Sequence, residues 1–480
     1  MAVPLKRGQT PEVRIDDLAF GGKGVGRVEG FVVLVDGGLP GDLVRVRVEK
    51  VRGNYAEGRA IELIEPSADR VAARCEHFGV CGGCRWQNLP YAIQLDYKRR
   101  QVVEALRRLG GIPDAAVEQT LPSPDEYFYR NKMEFSFGRD AGANLTLGLH
   151  PAASYTDVFD LRRCHLESDL SNEIVAAVRE GCRRAGLPPY DVREHTGFLR
   201  YLTVREGKFS GEVMVNVVTG DGGARDAEWS TALKAMAGEI VAAHPQIKSF
   251  LRSVNASRAT VAFGQREEIL TGESAIREVL MERTFEITAN SFFQTNSRQA
   301  VRLYGTVLEM ADLAREDRVL DLYSGTGAIS ILTAACASEV RGVESLAESV
   351  RNAERNAALN QVRNVYFICG EAKKALAAMA GDRQPPTVVI VNPPRAGLNS
   401  AVIRGMLRLR PRRIVYVSCN PTTLARDLKE MTERDYRLTL VRPVDMFPHT
   451  HHIECVARID LTPAQAEGAP APGSALPSGG

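Results

Sequence analysis

The run Arg318-Val-Leu-Asp-Leu-Tyr323 and the Ser-Gly-Thr-Gly-Ala328 that follows it constrain the fold of this chain more than any other segment. A buried β-run ends in an acid and an aromatic residue, two glycines follow, and an apolar helical stretch covers Ile329 to Ala337. Gly325 and Gly327 have no β-carbon, so the backbone can bend sharply and bring a ligand against the helix N-terminus. About twenty residues on, Val340 to Glu344 form a second strand ending in an acid, the place of a carboxylate that bonds ribose hydroxyls. Tyr323, Gly325, Gly327 and Glu344 together predict an adenosine-containing ligand. A dinucleotide and S-adenosylmethionine compete for that role. Ser330 stands near the place of the third glycine of a dinucleotide fingerprint, and the strand-end acid Asp321 before a short Gly-x-Gly favours S-adenosylmethionine.

The next strands keep a βα rhythm: Val365 to Cys369, Thr387 to Asn392 and Arg412 to Ser418, with helical stretches between them. This predicts a doubly wound parallel sheet, whose ligands gather outside the carboxyl ends of the strands. Asp321, Glu344, Asn392 and Cys419 all fall at such ends, so one crevice can hold a cofactor and a nucleophile. The prolines of Asn392-Pro-Pro-Arg-Ala-Gly-Leu398 fix an irregular loop where Asn392 and Arg395 can face a planar substrate. Cys419 closes the next strand. Asn420 is a good N-cap, Pro421 a good first helical residue, and Thr422 to Lys429 read helical. The helix N-terminus supplies unpaired amide hydrogens and partial positive charge, which predicts an ionised thiol; the competing reading is a small buried hydrophobe. Glu454 sits in the apolar run Ile453 to Ile459, where desolvation raises a carboxyl pKa toward that of a working base; the competing reading is an edge carboxylate facing water.

Asp-Leu-Tyr-Ser-Gly-Thr-Gly, Asn-Pro-Pro-Arg-Ala-Gly, Val-Ser-Cys-Asn-Pro-x-Thr-Leu-Ala-Arg-Asp and Asp-Met-Phe-Pro-His-Thr-x-His-x-Glu follow one another along the chain. In that order they resemble the RNA 5-methyluridine (uracil-carbon-5) methyltransferases. The resemblance implies a C-terminal Rossmann-like class I methyltransferase domain using S-adenosylmethionine. It implies that Cys419 adds to carbon 6 of uracil and that Glu454 later removes the carbon 5 proton. Ala289-Asn-Ser-Phe-Phe-Gln-Thr-Asn, ahead of an amphipathic helix from Ser297 to Leu313, resembles the family's Phe-x-Gln-x-Asn segment and implies that Gln294 contacts cofactor and target base. Most members carry aspartate where Asn392 stands. An amide there can accept from uracil or donate to cytosine, which keeps a cytosine-5 alternative open. His449, His451 and His452 have the density of a metal site, but the implied mechanism needs no Lewis acid, and they are expected to shape the pocket.

Cys75-x5-Cys81-Gly-Gly-Cys84, with Cys164 downstream, supplies four thiolates suited to an iron-sulfur cluster or to zinc. The nine cysteines come with no signal peptide and no apolar run of membrane length, which points to a reducing cytoplasm where disulfides are rare. Cys-x5-Cys-Gly-Gly-Cys-x-Trp-Gln resembles the iron-sulfur signature of the family's 23S ribosomal RNA branch. That implies a [4Fe-4S] cluster on Cys75, Cys81, Cys84 and Cys164, and ribosomal RNA as substrate.

Near the N-terminus, five short β-rich runs between Glu12 and Ile64 predict a small barrel, and Leu-Ala-Phe-Gly-Gly-Lys-Gly-Val-Gly-Arg resembles a TRAM domain of oligonucleotide-binding type. The expected architecture is α/β: a TRAM barrel over 1–66, a central α+β iron-sulfur domain over 67–288, the methyltransferase domain over 289–462 and a disordered tail over 463–480. The helix near 91–110 is expected to pack on the catalytic domain. A net charge of +2 is too small for nonspecific phosphate capture, so RNA binding must rest on local patches. Candidates are the barrel cations, the helical Lys98, Arg99, Arg100, Arg107 and Arg108, and Arg130 and Lys132, whose Arg-Asn-Lys-Met-Glu-Phe-Ser-Phe resembles the family's RNA-contacting strand. A monomer is expected, with RNA as its partner, no membrane contact and no obligate protein partner. The alternatives are a tRNA uracil methyltransferase, an RNA-binding factor with an idle crevice and a dinucleotide-dependent oxidoreductase.

Overall fold

The computed structural model describes residues 5–152, 154 and 156–462; the tail read as disordered lies outside them. β1 (Glu12–Leu18), β2 (Gly24–Val28), β3 (Phe31–Asp36), β4 (Leu43–Val51) and β5 (Tyr55–Glu65) close into a barrel in the order β1-β2-β3-β5-β4. Alternate residues Val13, Ile15, Val33, Val35, Val44, Val46 and Val48 fill it, as the period of two requires. Some of its cations meet the acids interleaved with them, as their sequence spacing suggested. Arg45 meets Glu62 at 2.7 Å and Glu12 at 3.2 Å, and Lys23 meets Glu57 at 2.6 Å.

α1 (Tyr91–Ala105) continues into a π-helical turn, Leu106–Gly110, and Val102, Ala105 and Leu106 bury against Leu424 and Leu428 near the C-terminus. Lys98 is fully buried on this helix, not part of an RNA face as expected, because the helix turns it inward to Asp445, 2.7 Å away. Arg107 and Arg108 both pair with Glu104.

The central sheet contains β6 (Lys132–Arg139), β7 (Leu145–Leu149), β8 (Phe159–Asp160), β9 (Leu199–Glu206), β10 (Val213–Thr219), β11 (Ile247–Val254) and β12 (Arg266–Gly272), in the order β12-β11-β10-β9-β6-β7-β8. Ile174 and Val178 of α2 (Asp169–Arg184) and Leu233 and Met236 of α3 (Asp226–Ala243) form one core with Phe135, Leu202 and Val215 of that sheet. A hairpin, β13 (Ala275–Leu280) and β14 (Arg283–Thr288), leads to α4 (Ser297–Ala311).

The third sheet holds β15 (Arg318–Leu322), β16 (Glu339–Glu344), β17 (Val365–Cys369), β18 (Val388–Val391), β19 (Arg413–Ser418), β20 (Tyr436–Val444) and β21 (Glu454–Leu461). Its order is β17-β16-β15-β18-β19-β21-β20, parallel through β19, with β21 antiparallel to both its neighbours. Val388 to Val391 are fully buried, as a strand covered on both faces must be. Around the sheet lie α5 (Ala328–Thr333), α6 (Ala347–Leu359), α7 (Ala372–Ala378), α8 (Ser400–Arg408) and α9 (Pro421–Thr432). α5 ends short of the expected Ala337; at its end the Thr333 hydroxyl donates back to the Ile329 and Ser330 carbonyls. Strand order reverses between β15 and β18, which opens a crevice at their carboxyl ends. Among the described residues no helix is long and apolar enough to cross a membrane.

Candidate active site

The nucleotide turn leaves β15 at Tyr323, whose backbone is left-handed at φ 63°; Gly325 and Gly327 follow at 55° and 82°. A β-carbon on Gly327 would stand 2.8 Å from the Phe367 ring, so close packing as well as backbone shape requires glycine there. Glu344 ends the adjacent strand and accepts from Gly325 N at 3.2 Å and from Leu346 N at 2.9 Å, which fixes its carboxylate at the turn. Asp321 is fully buried and accepts from the Ser330 hydroxyl at 2.5 Å. Burial pushes its carboxyl up to about 7, and its second oxygen has no partner.

Gln294 is buried, and its carbonyl accepts from Asn131 Nδ2 at 2.8 Å. Asn296 caps α4 by accepting from Gln299 N at 3.1 Å and also reaches the Met446 carbonyl at 3.1 Å. The segment carrying Gln294 is thereby tied to both the central sheet and the end of the chain. Asn392 lies just past β18, its N–H on the Leu322 carbonyl at 3.3 Å.

Cys419 follows β19 at a half-buried turn. Asn420 caps α9 through Thr422 N at 3.0 Å, with Pro421 in the first helical turn. In the antiparallel register Ser418 faces Cys455, which sets Cys419 beside Glu454. Glu454 is buried, and burial pushes its carboxyl up to about 8. The Cys419 thiol is also raised, chiefly by burial and then by Glu454, against an opposing pull from Arg395. This corrects the expectation of a thiol ionised by the helix N-terminus alone: desolvation outweighs the dipole.

The loop from Asp445 to His452 precedes Glu454 and is held from several sides. The His449 carbonyl accepts from Arg85 N at 2.9 Å and Trp86 N at 3.1 Å, and its N–H donates to Gln94 Oε1 at 2.9 Å. Burial lowers His449 and His451 to about 4 and His452 to about 3, so all three rings are neutral at pH 7.

Cys75, Cys81, Cys84 and Cys164 line one cavity of about 610 Å³, together with Arg130, Lys132 and Thr295. Gly83 N donates to the Cys81 sulfur and Gln87 Nε2 to the Cys84 sulfur, each at 3.3 Å. Burial raises all four thiols, Cys84 to about 11. Among the described residues, no three His, Cys, Asp or Glu side chains are gathered closely enough to hold a metal ion.

A family model described as tRNA (Uracil-5-)-methyltransferase matches residues 90–460, and one described as TRAM domain matches residues 4–61. The chain belongs to the tRNA (uracil-5-)-methyltransferase family. This methyltransferase is 37% identical to an "uncharacterized RNA methyltransferase" of Halalkalibacterium halodurans, over 95% of this chain and 98% of that one. It is 39% identical to a protein of the same description from Chlorobaculum tepidum, over 94% and 96%. Among solved structures it is similar to the Pyrococcus abyssi tRNA (uracil-54, C5)-methyltransferase in complex with S-adenosyl-L-homocysteine, with a TM-score of 0.73, 32% identity, and coverage of 94% of this chain and all of that one. The enzyme is thus an S-adenosylmethionine-dependent RNA (uracil-5) methyltransferase with an N-terminal TRAM barrel.

The methyltransferase fold brings Tyr323, Gly325, Gly327, Glu344 and Asn392 to adjoining strand ends. It puts Arg130 and Lys132 on the cysteine cavity, with the Arg130 guanidinium 5.6 Å from the centre of the Phe447 ring in the loop before Glu454. Sequence reasoning missed Gln94 and Asp445 and put Lys98 on an RNA face, whereas the three hold that loop. It also missed Asp427, whose Oδ2 accepts from Tyr416 Oη at 2.8 Å and Leu398 N at 2.7 Å. The four-residue spacing of Gln94 and Lys98, which puts both on one face of the helix, was the signal available.

Proposed function

We propose that this methyltransferase modifies carbon 5 of a specific uridine in 23S ribosomal RNA through a covalent adduct with Cys419. The observation that carries the chemistry is the β19–β21 register, which sets a thiol beside a buried carboxyl at the edge of the cofactor crevice. S-adenosylmethionine supplies an electrophilic methyl group; Tyr323, Gly325, Gly327 and Glu344 hold it, with Gln294 and Asn392 between it and the base. The target base must leave its stack to reach Cys419. The Cys419 thiolate adds to carbon 6, forming a C–S bond and moving an electron pair onto the carbon 4 oxygen, which makes carbon 5 nucleophilic. Carbon 5 takes the methyl group as its bond to the sulfonium breaks, leaving S-adenosylhomocysteine; ionised Glu454 then removes the carbon 5 proton, the ring double bond re-forms, the C–S bond to Cys419 breaks, and the thiolate is restored. Asn392 accepts the uracil imino hydrogen, and Arg395, Arg130 and Lys132 contact the RNA.

The ribosomal assignment rests on the four cysteines around one cavity and on their resemblance to the iron-sulfur branch. Their donor set suits a [4Fe-4S] cluster: four sulfurs surround one cavity, and Gly83 N and Gln87 Nε2 already donate to two of them. Cys75, Cys81, Cys84 and Cys164 would hold the cluster, which would pin the 75–84 loop to the central sheet; no step of methyl transfer passes through it. The chain then works as a cytoplasmic monomer of a barrel (1–66), a central domain (67–288) and a catalytic domain (289–462). A tRNA substrate is the second reading, favoured by the family's description and by the tRNA enzyme of Pyrococcus abyssi.

Labelled methyl transfer to unmodified 23S ribosomal RNA and tRNA decides between them. Label in the ribosomal RNA is the expected result, and label confined to tRNA overturns the assignment. Cys419 should also form a denaturation-resistant adduct with 5-fluorouridine RNA. A Cys419→Ser enzyme turning over at the parental rate would sink the covalent mechanism.

A further inference from the structure

A half-buried thiol beside a buried carboxyl is a poor nucleophile, because both neighbours of the sulfur, apolar surroundings and acid, oppose its charge. The groups facing Cys419 come from two places. β21 contributes Glu454 and the buried Cys455, and the loop after β18 contributes Arg395, which also acts on the neutral His451 and His452 of the loop before Glu454. Among these Arg395 is the one cation. Its guanidinium makes no ion pair or hydrogen bond among the described residues, whereas Arg426 of α9 is committed to Asp427 and two carbonyls of the same loop.

The main chain beneath Arg395 is held firmly by the helix that Cys419 leads into. Asn420 Nδ2 donates to the Arg395 carbonyl at 3.3 Å and Thr423 Oγ1 at 3.4 Å. Arg426 donates to the Ala396 and Leu398 carbonyls at 3.0 and 3.1 Å, and Asp427 accepts from Leu398 N at 2.7 Å. Gly397 lets the loop close: its backbone is left-handed at φ 77°, and a β-carbon there would lie 2.7 Å from both the Arg426 guanidinium and the Asp427 carboxylate. Two turns of α9 thus clamp the loop, and the residue at its crest keeps a free charge next to the helix start.

We propose that Arg395 is the positioning residue that makes Cys419 a usable nucleophile, its loop clamped to the helix that Cys419 leads into and its cation offsetting the charge that Glu454 must carry before it acts as base. The proposal rests on Cys419 being the nucleophile. Arg395 acts through the sulfur: the thiol releases its proton to solvent, and the cation favours the thiolate left behind. Because Arg395 is exposed, its influence falls as salt rises.

The test is the pH dependence of Cys419 alkylation by iodoacetamide in the full-length protein without RNA, followed by mass spectrometry of the Cys419 peptide. The exposed Cys336 and Cys369 serve as references in the same sample. In Arg395→Gln the Cys419 midpoint moves up, and its rate near pH 8 falls about threefold to tenfold, the upper figure matching a midpoint change of one pH unit. Arg395→Lys keeps the parental midpoint, molar salt moves the parental midpoint toward that of the Gln variant, and the reference cysteines do not change. A Gln variant with the parental Cys419 profile overturns the proposal, as does a parental midpoint indifferent to salt. The salt arm uses the parent alone, so it decides even where the Gln variant loosens the loop. Failure of the underlying reading looks different: the parent then forms no adduct with 5-fluorouridine RNA, whatever the alkylation profiles show.

Discussion

Replacing Glu454 by glutamine removes a buried proton-binding group without changing the shape of the side chain, and the consequence for the fold depends on pH in a calculable way. A free glutamate ionises near 4.5, whereas burial holds this one neutral up to about 8. Below the lower value the carboxyl is protonated whether the chain is folded or not, and the fold is unpenalised. As pH rises, the unfolded chain sheds the proton while the folded chain keeps it, so stability is lost, by about 1.4 kcal/mol per pH unit and on the order of 5 kcal/mol in all, until the folded carboxyl ionises too. Glutamine has no such proton. Native-state hydrogen exchange of the β19 and β21 amides, compared between the two proteins at each pH, isolates the difference because intrinsic exchange rates cancel. The protection of the variant relative to the parent should climb nearly tenfold per unit between about pH 5.5 and 7.5 and level off above roughly 8. A ratio constant across that range would show that Glu454 is ionised in the fold, and the account of it as a desolvated base would fail.

Lys98→Ala leaves Asp445 as an uncompensated charge in the core, and the catalytic unit should lose about 3–5 kcal/mol, read as a lower calorimetric midpoint; replacing both partners with apolar residues should recover much of that loss. Asn392→Asp should leave or improve methyl transfer to a uridine substrate in steady-state assays, whereas a large loss would mean that this position does not face the imino edge of the base.

The third sheet was legible because its signals are local. A strand ending in Asp321-Leu-Tyr, the glycines of the turn and the acid at Glu344 each impose their geometry within a few residues. Cys419 and Glu454 could be named for the same reason, each by its place at a strand end or in an apolar run. The ionisation of the thiol could not be read, because desolvation and the charges of Glu454 and Arg395 depend on elements brought together only by folding. Lys98 is the plainest case. Beside Arg99 and Arg100 it looked like part of a solvated basic stripe, and only a partner 347 positions away explains its burial. In the barrel the balance of charge could be read but not the partners: Arg45 and Lys23 pair with Glu62 and Glu57, brought in by β5.

The carbonyl of His449 receives the amides of Arg85 and Trp86, so the arm bearing three of the cavity's cysteines is fastened by a segment made some 350 residues later. During synthesis that arm can meet Asp36 of the barrel and the 150–162 segment early, but its His449 anchor is missing until the final strands emerge. Closure of the arm on the catalytic loop is therefore a late event, gated by the C-terminal end, and a ribosome stalled just short of Asp445 would present a cysteine arm lacking its His449 anchor.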